Sequence, residues 1–131
     1  MKVKMEKILF MREVYESLKE KKLPIKTTYK ISKLFAKILE EIKFYEEQQQ
    51  NLVEKYSKKN ENGSPLLTND GKGIQIEDKY VLEVMEKQKE LLGLEVELPN
   101  ITFSLEELET AELSVQEFSE LMPFINDSNL D

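Results

Sequence analysis

Thirty-three residues without a glycine or a proline set the first constraint: TTYKISKLFAKILEEIKFYEEQQQNLVEKYSKK, Thr27 to Lys59. Within them Ile31, Phe35, Ile38, Ile42, Tyr45, Gln49, Leu52 and Tyr56 follow one another in steps of four and three. A 3.5-residue repeat keeps one stripe of a helix turned toward the same partner over nearly four heptads. Leu34, Leu39, Phe44 and Val53 flank that seam and widen it. A helix of about 30 residues, rising 1.5 Å each, is about 45 Å long. A compact domain of this length has a radius of gyration of only about 13–15 Å. The seam therefore predicts a helix that projects in part or packs on another chain. Gln49 interrupts it, either as a register-setting polar residue or as the mark of a solvated end.

The remaining elements arrange themselves around that rod. Ile8, Met11, Tyr15 and Leu18, broadened by Val14, predict a helix over 3–22, and Pro24 closes it by disfavouring helix at Leu23. The long helix itself is expected over 26–58. SKKNENGSPLLTNDGKG then breaks the pattern with the turn pairs Asn62-Gly63, Ser64-Pro65 and Asp70-Gly71. Leu66–Thr68 opposite Ile74–Ile76 predicts a β-hairpin over 66–76. Glu77 and Asp78 put negative charge at the start of a helix over 78–92. Its apolar face is Tyr80 or Val81, Val84, Met85, Gln88, Leu91 and Leu92, and Gly93 follows it.

LEVELP alternates strictly and predicts a half-buried strand over 94–98. Ser104 with Glu107, and Ser114 with Glu117, fit the S-x-x-E capping box and predict two short C-terminal helices. The expected fold is α+β and predominantly helical. An antiparallel long-helix hairpin carries a small β-hairpin or three-stranded sheet, made from the 66–76 hairpin and strand 94–98, with short C-terminal helices. It reads as a single domain, 1–131. Residues 1–59 form a basic helical hairpin, 60–125 an acidic α+β part and 126–131 a frayed tail.

Charge is split along the same line. Residues 1–59 hold 15 basic and 9 acidic side chains, and residues 60–131 hold 4 and 17. Such a split suits two solvated faces of opposite sign, an intramolecular embrace, a head-to-tail contact between copies, or two different partners. The chain has no Cys and no His. That excludes disulfides, thiolate chemistry and the Ser-His-Asp and Cys-His arrangements. Leu94 to Ile125 carries eight glutamates and no basic residue, but the capping boxes and first-turn positions account for most of them. The clusters Glu106, Glu107, Glu109, Glu112 and Glu40, Glu41, Glu46, Glu47 are not spaced like two carboxyls across a cleft.

LLTNDGKGIQIE has Leu66 where a calcium loop needs its leading Asp. No phosphate-loop glycine pattern occurs. Lys19, Lys21, Lys22, Lys26, Lys30, Lys33 and Lys37 gather near the helix junction. Arg12 alone could make a bidentate base contact, so nucleic acid is disfavoured against a solvated lysine face. The longest apolar run near the start, Ile8–Met11, is too short for a signal peptide or a membrane span. The expectation is a chain with no catalytic residue, cofactor or metal of its own, and no membrane contact.

KKLPIKTTYKISK (Lys21–Lys33), FYEEQQQNLVEKYSKKNENG (Phe44–Gly63), LLGLEVELPNITFSLEELE (Leu91–Glu109) and the closing FSELMPFI resemble a family of small uncharacterised phage and prophage proteins of Gram-positive bacteria. The pattern has Gly where this chain has Ser57. The resemblance implies a phage-encoded, non-enzymatic protein, in the host cytoplasm or associated with the virion, with a role in virion or tail morphogenesis. The expected partner is protein, a second copy or another phage or host protein. The candidate contact residues are Phe35, Ile38, Ile42, Tyr45, Leu52 and Tyr56 where the fold leaves them uncovered. The alternative is an inhibitor of a host or anti-phage defence protein that binds through Glu106, Glu107, Glu109 and Glu112.

Overall fold

The computed structural model describes residues 1–126. Along the chain run strand β1 (Lys2–Lys4), helices α1 (Met5–Leu18), α2 (Ile25–Tyr56) and α3 (Val81–Leu92), strand β2 (Glu95–Glu97), and short helices α4 (Leu105–Leu108) and α5 (Val115–Leu121). Single 3-10 turns at Asp78–Tyr80, Glu109–Ala111 and Met122–Phe124 adjoin α3, α4 and α5. The predominantly helical α+β class expected from the sequence is the one the chain adopts. Two compact units are present. One is Met1–Ile42 with the chain from Glu95 onward, and the other is Lys43–Leu94. Helix α2 is continuous, and the division falls inside it after Ile42.

In the first unit, α1 buries Met5, Ile8, Met11, Val14 and Leu18. Steps of three and four hold these on one stripe. Val14, not Tyr15, sits in the middle of it, while Tyr15 turns its ring to Phe35 of α2, 5.3 Å between centroids. The predicted helix 3–22 is shorter at both ends. It stops at Leu18, where the Lys19 N–H bonds the Tyr15 carbonyl and the Lys21 N–H bonds the Leu18 carbonyl, so the chain has left the helix before the Leu23-Pro24 pair. It starts at Met5 because Lys2–Lys4 are extended.

Those three residues pair antiparallel with β2: Lys2 opposite Glu97, Val3 opposite Val96, Lys4 opposite Glu95. The strand expected at 94–98 thus joins the start of the chain, not the 66–76 hairpin, and among the described residues the sheet has two strands rather than three. Cross-strand pairs of opposite charge favour this pairing by about 0.2–1 kcal/mol each. Val96 and Leu98 are buried, as are Ile31, Leu34, Phe35, Ile38 and Ile42 of α2 and Phe103, Leu108, Ala111, Leu121 and Phe124 of the same unit. The Phe103 N–H bonds the Phe124 carbonyl (2.7 Å), and the Asn126 N–H bonds the Phe103 carbonyl (2.9 Å). Of the tail expected over 126–131, Asn126 is held in this way, and residues 127–131 lie outside the described residues.

In the second unit, the end of α2 leads into three short segments joined by single antiparallel bridges: Ser57 to Ile76, Lys59 to Pro65, Leu67 to Ile74. The expected 66–76 hairpin is therefore present as bridges rather than full strands. Its tip is a turn. Gly71 adopts φ +72°, and Asp70 accepts from the Thr68 hydroxyl and from the Lys72 N–H. These bonds hold the Asp70 carboxyl below its ordinary range, the Thr68 bond most. The residues that faintly resembled a calcium loop thus satisfy one another. The core here is small. Leu52, Tyr56 and Val84 are buried, with Ile76 and Tyr80 packed against them.

Candidate functional site

The seam on α2 is spent mostly on folding. Phe35, Ile38 and Ile42 are buried within the first unit, and Leu52 and Tyr56 within the second. Of the six seam residues expected to meet a partner, Tyr45 alone keeps partial exposure. A 3.5-residue repeat measures only which face is apolar, and here the chain's own elements cover that face. Tyr56 shows how fully: its ring lies 4.9 Å from that of Tyr80, and its hydroxyl donates to Glu83 Oε1 at 2.8 Å. Gln49, the polar interruption, has a buried side-chain oxygen without a hydrogen-bond partner among the described residues. Such an atom costs about 1–3 kcal/mol.

The acidic segment separates into two classes. Both capping boxes form: the Ser104 and Ser114 oxygens accept from the N–H groups of Glu107 and Glu117, whose carboxylates accept the serine N–H in return. Glu107 is further tied to Lys30, 2.9 Å away, with both side chains about three-quarters covered. Burial alone would raise the Glu107 carboxyl, but the bonds from Lys30 and Ser104 outweigh it and hold it below the usual glutamate range. Glu106, Glu109 and Glu112 stay exposed. Of the four glutamates expected to meet a partner, then, Glu107 belongs to the fold.

A group whose folded pKa is lowered adds stability that is present above its unfolded pKa and is lost as pH falls through the folded one. Stability of the parent chain should therefore drop below about pH 4.5 more steeply than that of Glu107→Gln. The variant, which keeps the cap, should lose about 1 kcal/mol at neutral pH. Urea titrations across this pH range measure both effects. Parallel curves for the two proteins would contradict the assignment.

The basic cluster is also committed in large part. Lys21 Nζ donates to the Ala111 carbonyl and, at 3.4 Å, to that of Glu112. Glu112 closes the 3-10 turn in a left-handed conformation, φ +50°, which costs a non-glycine residue of order 1 kcal/mol. The lysine satisfies carbonyls that this turn leaves open. Lys30 reaches the Thr102 carbonyl at 2.9 Å as well as Glu107. Lys37 pairs with Glu41, Lys19 with Glu16, and Lys33 lies over the Tyr29 ring. Lys22 and Lys26 are exposed. Part of the charge split is thus an embrace within the first unit.

What sequence reasoning missed lies on α3. That helix buries Val84 alone and leaves Val81, Leu82 and Met85 at 39%, 76% and 58% exposure. Val81 and Met85 belong to the apolar face that the sequence predicts, and Leu82 lies outside it. Successive positions on a helix are 100° apart, so these three share one side, adjacent to the buried stripe. The signal was available as an apolar arc broader than a second unit this small can cover.

Among the described residues no group of three or more acidic side chains is placed to hold a metal ion. No helix there is long and apolar enough to cross a membrane. No family model, curated protein or solved structure matches the chain.

Proposed function

We propose that this chain is a phage-encoded protein that works without catalysis, through contact with other protein molecules, as an assembly or structural component of the virion or tail. The apolar side of α3 carries the reading. Isolated exposed apolar residues are ordinary, but neighbouring ones on a single helix mark a contact surface. Full burial of an exposed side chain of this kind contributes about 1.5–3 kcal/mol, and covering the part of Val81, Leu82 and Met85 that is still exposed would contribute a corresponding fraction, largest for Leu82. The sequence resemblance to phage proteins supports the setting, which is the host cytoplasm or the particle. The partner in this reading is a second copy of the chain, with α3 laid against α3.

Light scattering over a range of concentrations tests it. The parent should gain mass with concentration, and Leu82→Glu with Met85→Glu should remain monomeric with an unchanged melting temperature. A parent that stays strictly monomeric at high concentration overturns the self-associating form.

A second reading makes the chain an inhibitor of a host or defence protein. It is favoured by the exposure of Glu106, Glu109 and Glu112, which form an acidic surface that folding does not consume. Replacing these three with Lys, and leaving Glu107 intact, should abolish capture of a defined host protein by the immobilised chain. Capture that persists removes this reading.

A further inference from the structure

Among the described residues, strand β1 has one edge occupied and one edge open. Met1 and Leu98 exchange backbone bonds with β1 and β2 in register, 3.2 Å from Met1 N to the Leu98 carbonyl and 2.8 Å in return. Bonded and non-bonded pairs alternate in an antiparallel ladder, and Lys2 lies opposite Glu97. The Lys2 N–H and C=O and the Lys4 N–H therefore turn away from β2. Alongside β1 lies a trough of about 500 Å³, within the size range of ligand clefts. Val3, Ile8, Met11 and Phe124 are among its apolar lining. Lys2, Lys4 and Lys7 also line it, three positive charges to the single negative one of Glu120.

From these features we infer that the trough receives an extended segment of another protein, acidic and apolar in alternation, which adds a third strand to β1. Each feature asks for a different property of the same occupant. The open edge takes an extended backbone, as in strand addition to other sheet edges. The lysines take carboxylates. The apolar floor takes the side chain between them, since alternate residues of a strand face alternate sides. The other edge of β1 already holds a segment of this kind, Glu95-Val96-Glu97, against Lys2-Val3-Lys4. A second copy joining β1 to β1 would set lysine against lysine, and like charges directly opposite are destabilising. That argues for a heterologous, acidic partner, on residues separate from the α3 surface. Lysines at a strand edge also serve to discourage pairing, and the experiment decides between the two roles.

The probe is the peptide acetyl-Gly-Glu-Val-Glu-Val-Gly-amide, titrated into the isotope-labelled full chain and followed by amide chemical shifts. Shifts should concentrate at Lys2–Ile8 and around Phe124, with the Val3–Val96 cross-strand contact retained. Lys7→Glu, which lies outside the strand, should weaken binding about fivefold, as one exposed ion pair predicts, without lowering the melting temperature. The same peptide with Lys in place of Glu should not bind. No shifts at millimolar peptide would overturn the inference, as would equal binding of the lysine peptide or loss of the Val3–Val96 contact through strand exchange. Decanoate filling the trough where the peptide does not would overturn it too, by making the site one for an amphiphile.

Discussion

Phe35→Ala should remove about 3–5 kcal/mol of folding stability, the usual cost of deleting a buried phenyl ring. Domains of this size are stable by only about 5–15 kcal/mol in all. Phe35 is fully buried and lies against the Tyr15 ring, so the substitution leaves a cavity that neighbouring side chains from two helices can only partly fill. Thermal melting of the variant should fall by roughly 10–20 °C, given the entropy of unfolding for a chain of this length. Phe35→Leu, which keeps most of the apolar volume, should lose much less. The measurement also decides what the residue is for. The seam pattern alone offered Phe35 to a partner. A Phe35→Ala chain that melts with the parent and yet fails to associate would restore that role and remove Phe35 from the core.

Leu52→Ala acts on a smaller core and should have a more localised result. Loss of a buried leucine costs about 2–5 kcal/mol. Within Lys43–Leu94 the buried cluster is Leu52, Tyr56 and Val84, so this one change removes much of what holds α3 in place. Hydrogen exchange should show the amides of Val81–Leu92 losing most of their protection while those of Met5–Leu18 retain theirs. Contiguous stretches commonly open as separate cooperative blocks with different free energies. Equal loss of protection in both helices would mean that the two units unfold as one, and would sink this prediction.

The parts of the fold that were legible in the sequence are the local ones. Ser104 with Glu107 and Ser114 with Glu117 could be read directly, because a capping box is complete within four residues and both form. The 32 residues of α2 were legible because they contain no breaker. The turn at Asp70-Gly71 was legible because few residues tolerate positive φ. Strand β1 was not. Three extended residues run straight into α1 without a turn, so the helical pattern absorbed them. Their partner lies more than 90 residues away. The match of Lys-Val-Lys to Glu-Val-Glu was the available clue, and periodicity within one segment cannot see it.

The seam failed differently. It located the apolar face of α2 correctly but could not say what covers it, because burial within a chain and burial between chains leave the same 3.5-residue trace. Glu107 gave a half-answer for a related reason: its cap was written locally, whereas its ion pair with Lys30 is a product of tertiary packing.

The Lys21 contact has a consequence for how this chain can change over time. Its acceptors are the main-chain oxygens of Ala111 and Glu112, which every amino acid supplies. The side chains at 111 and 112 therefore take no part in the tether and answer to other demands, burial at Ala111 and a left-handed backbone at Glu112, whereas position 21 must keep a long cationic arm. A pair of this kind leaves no reciprocal substitution record, so an analysis that seeks contacts through correlated changes would pass over it.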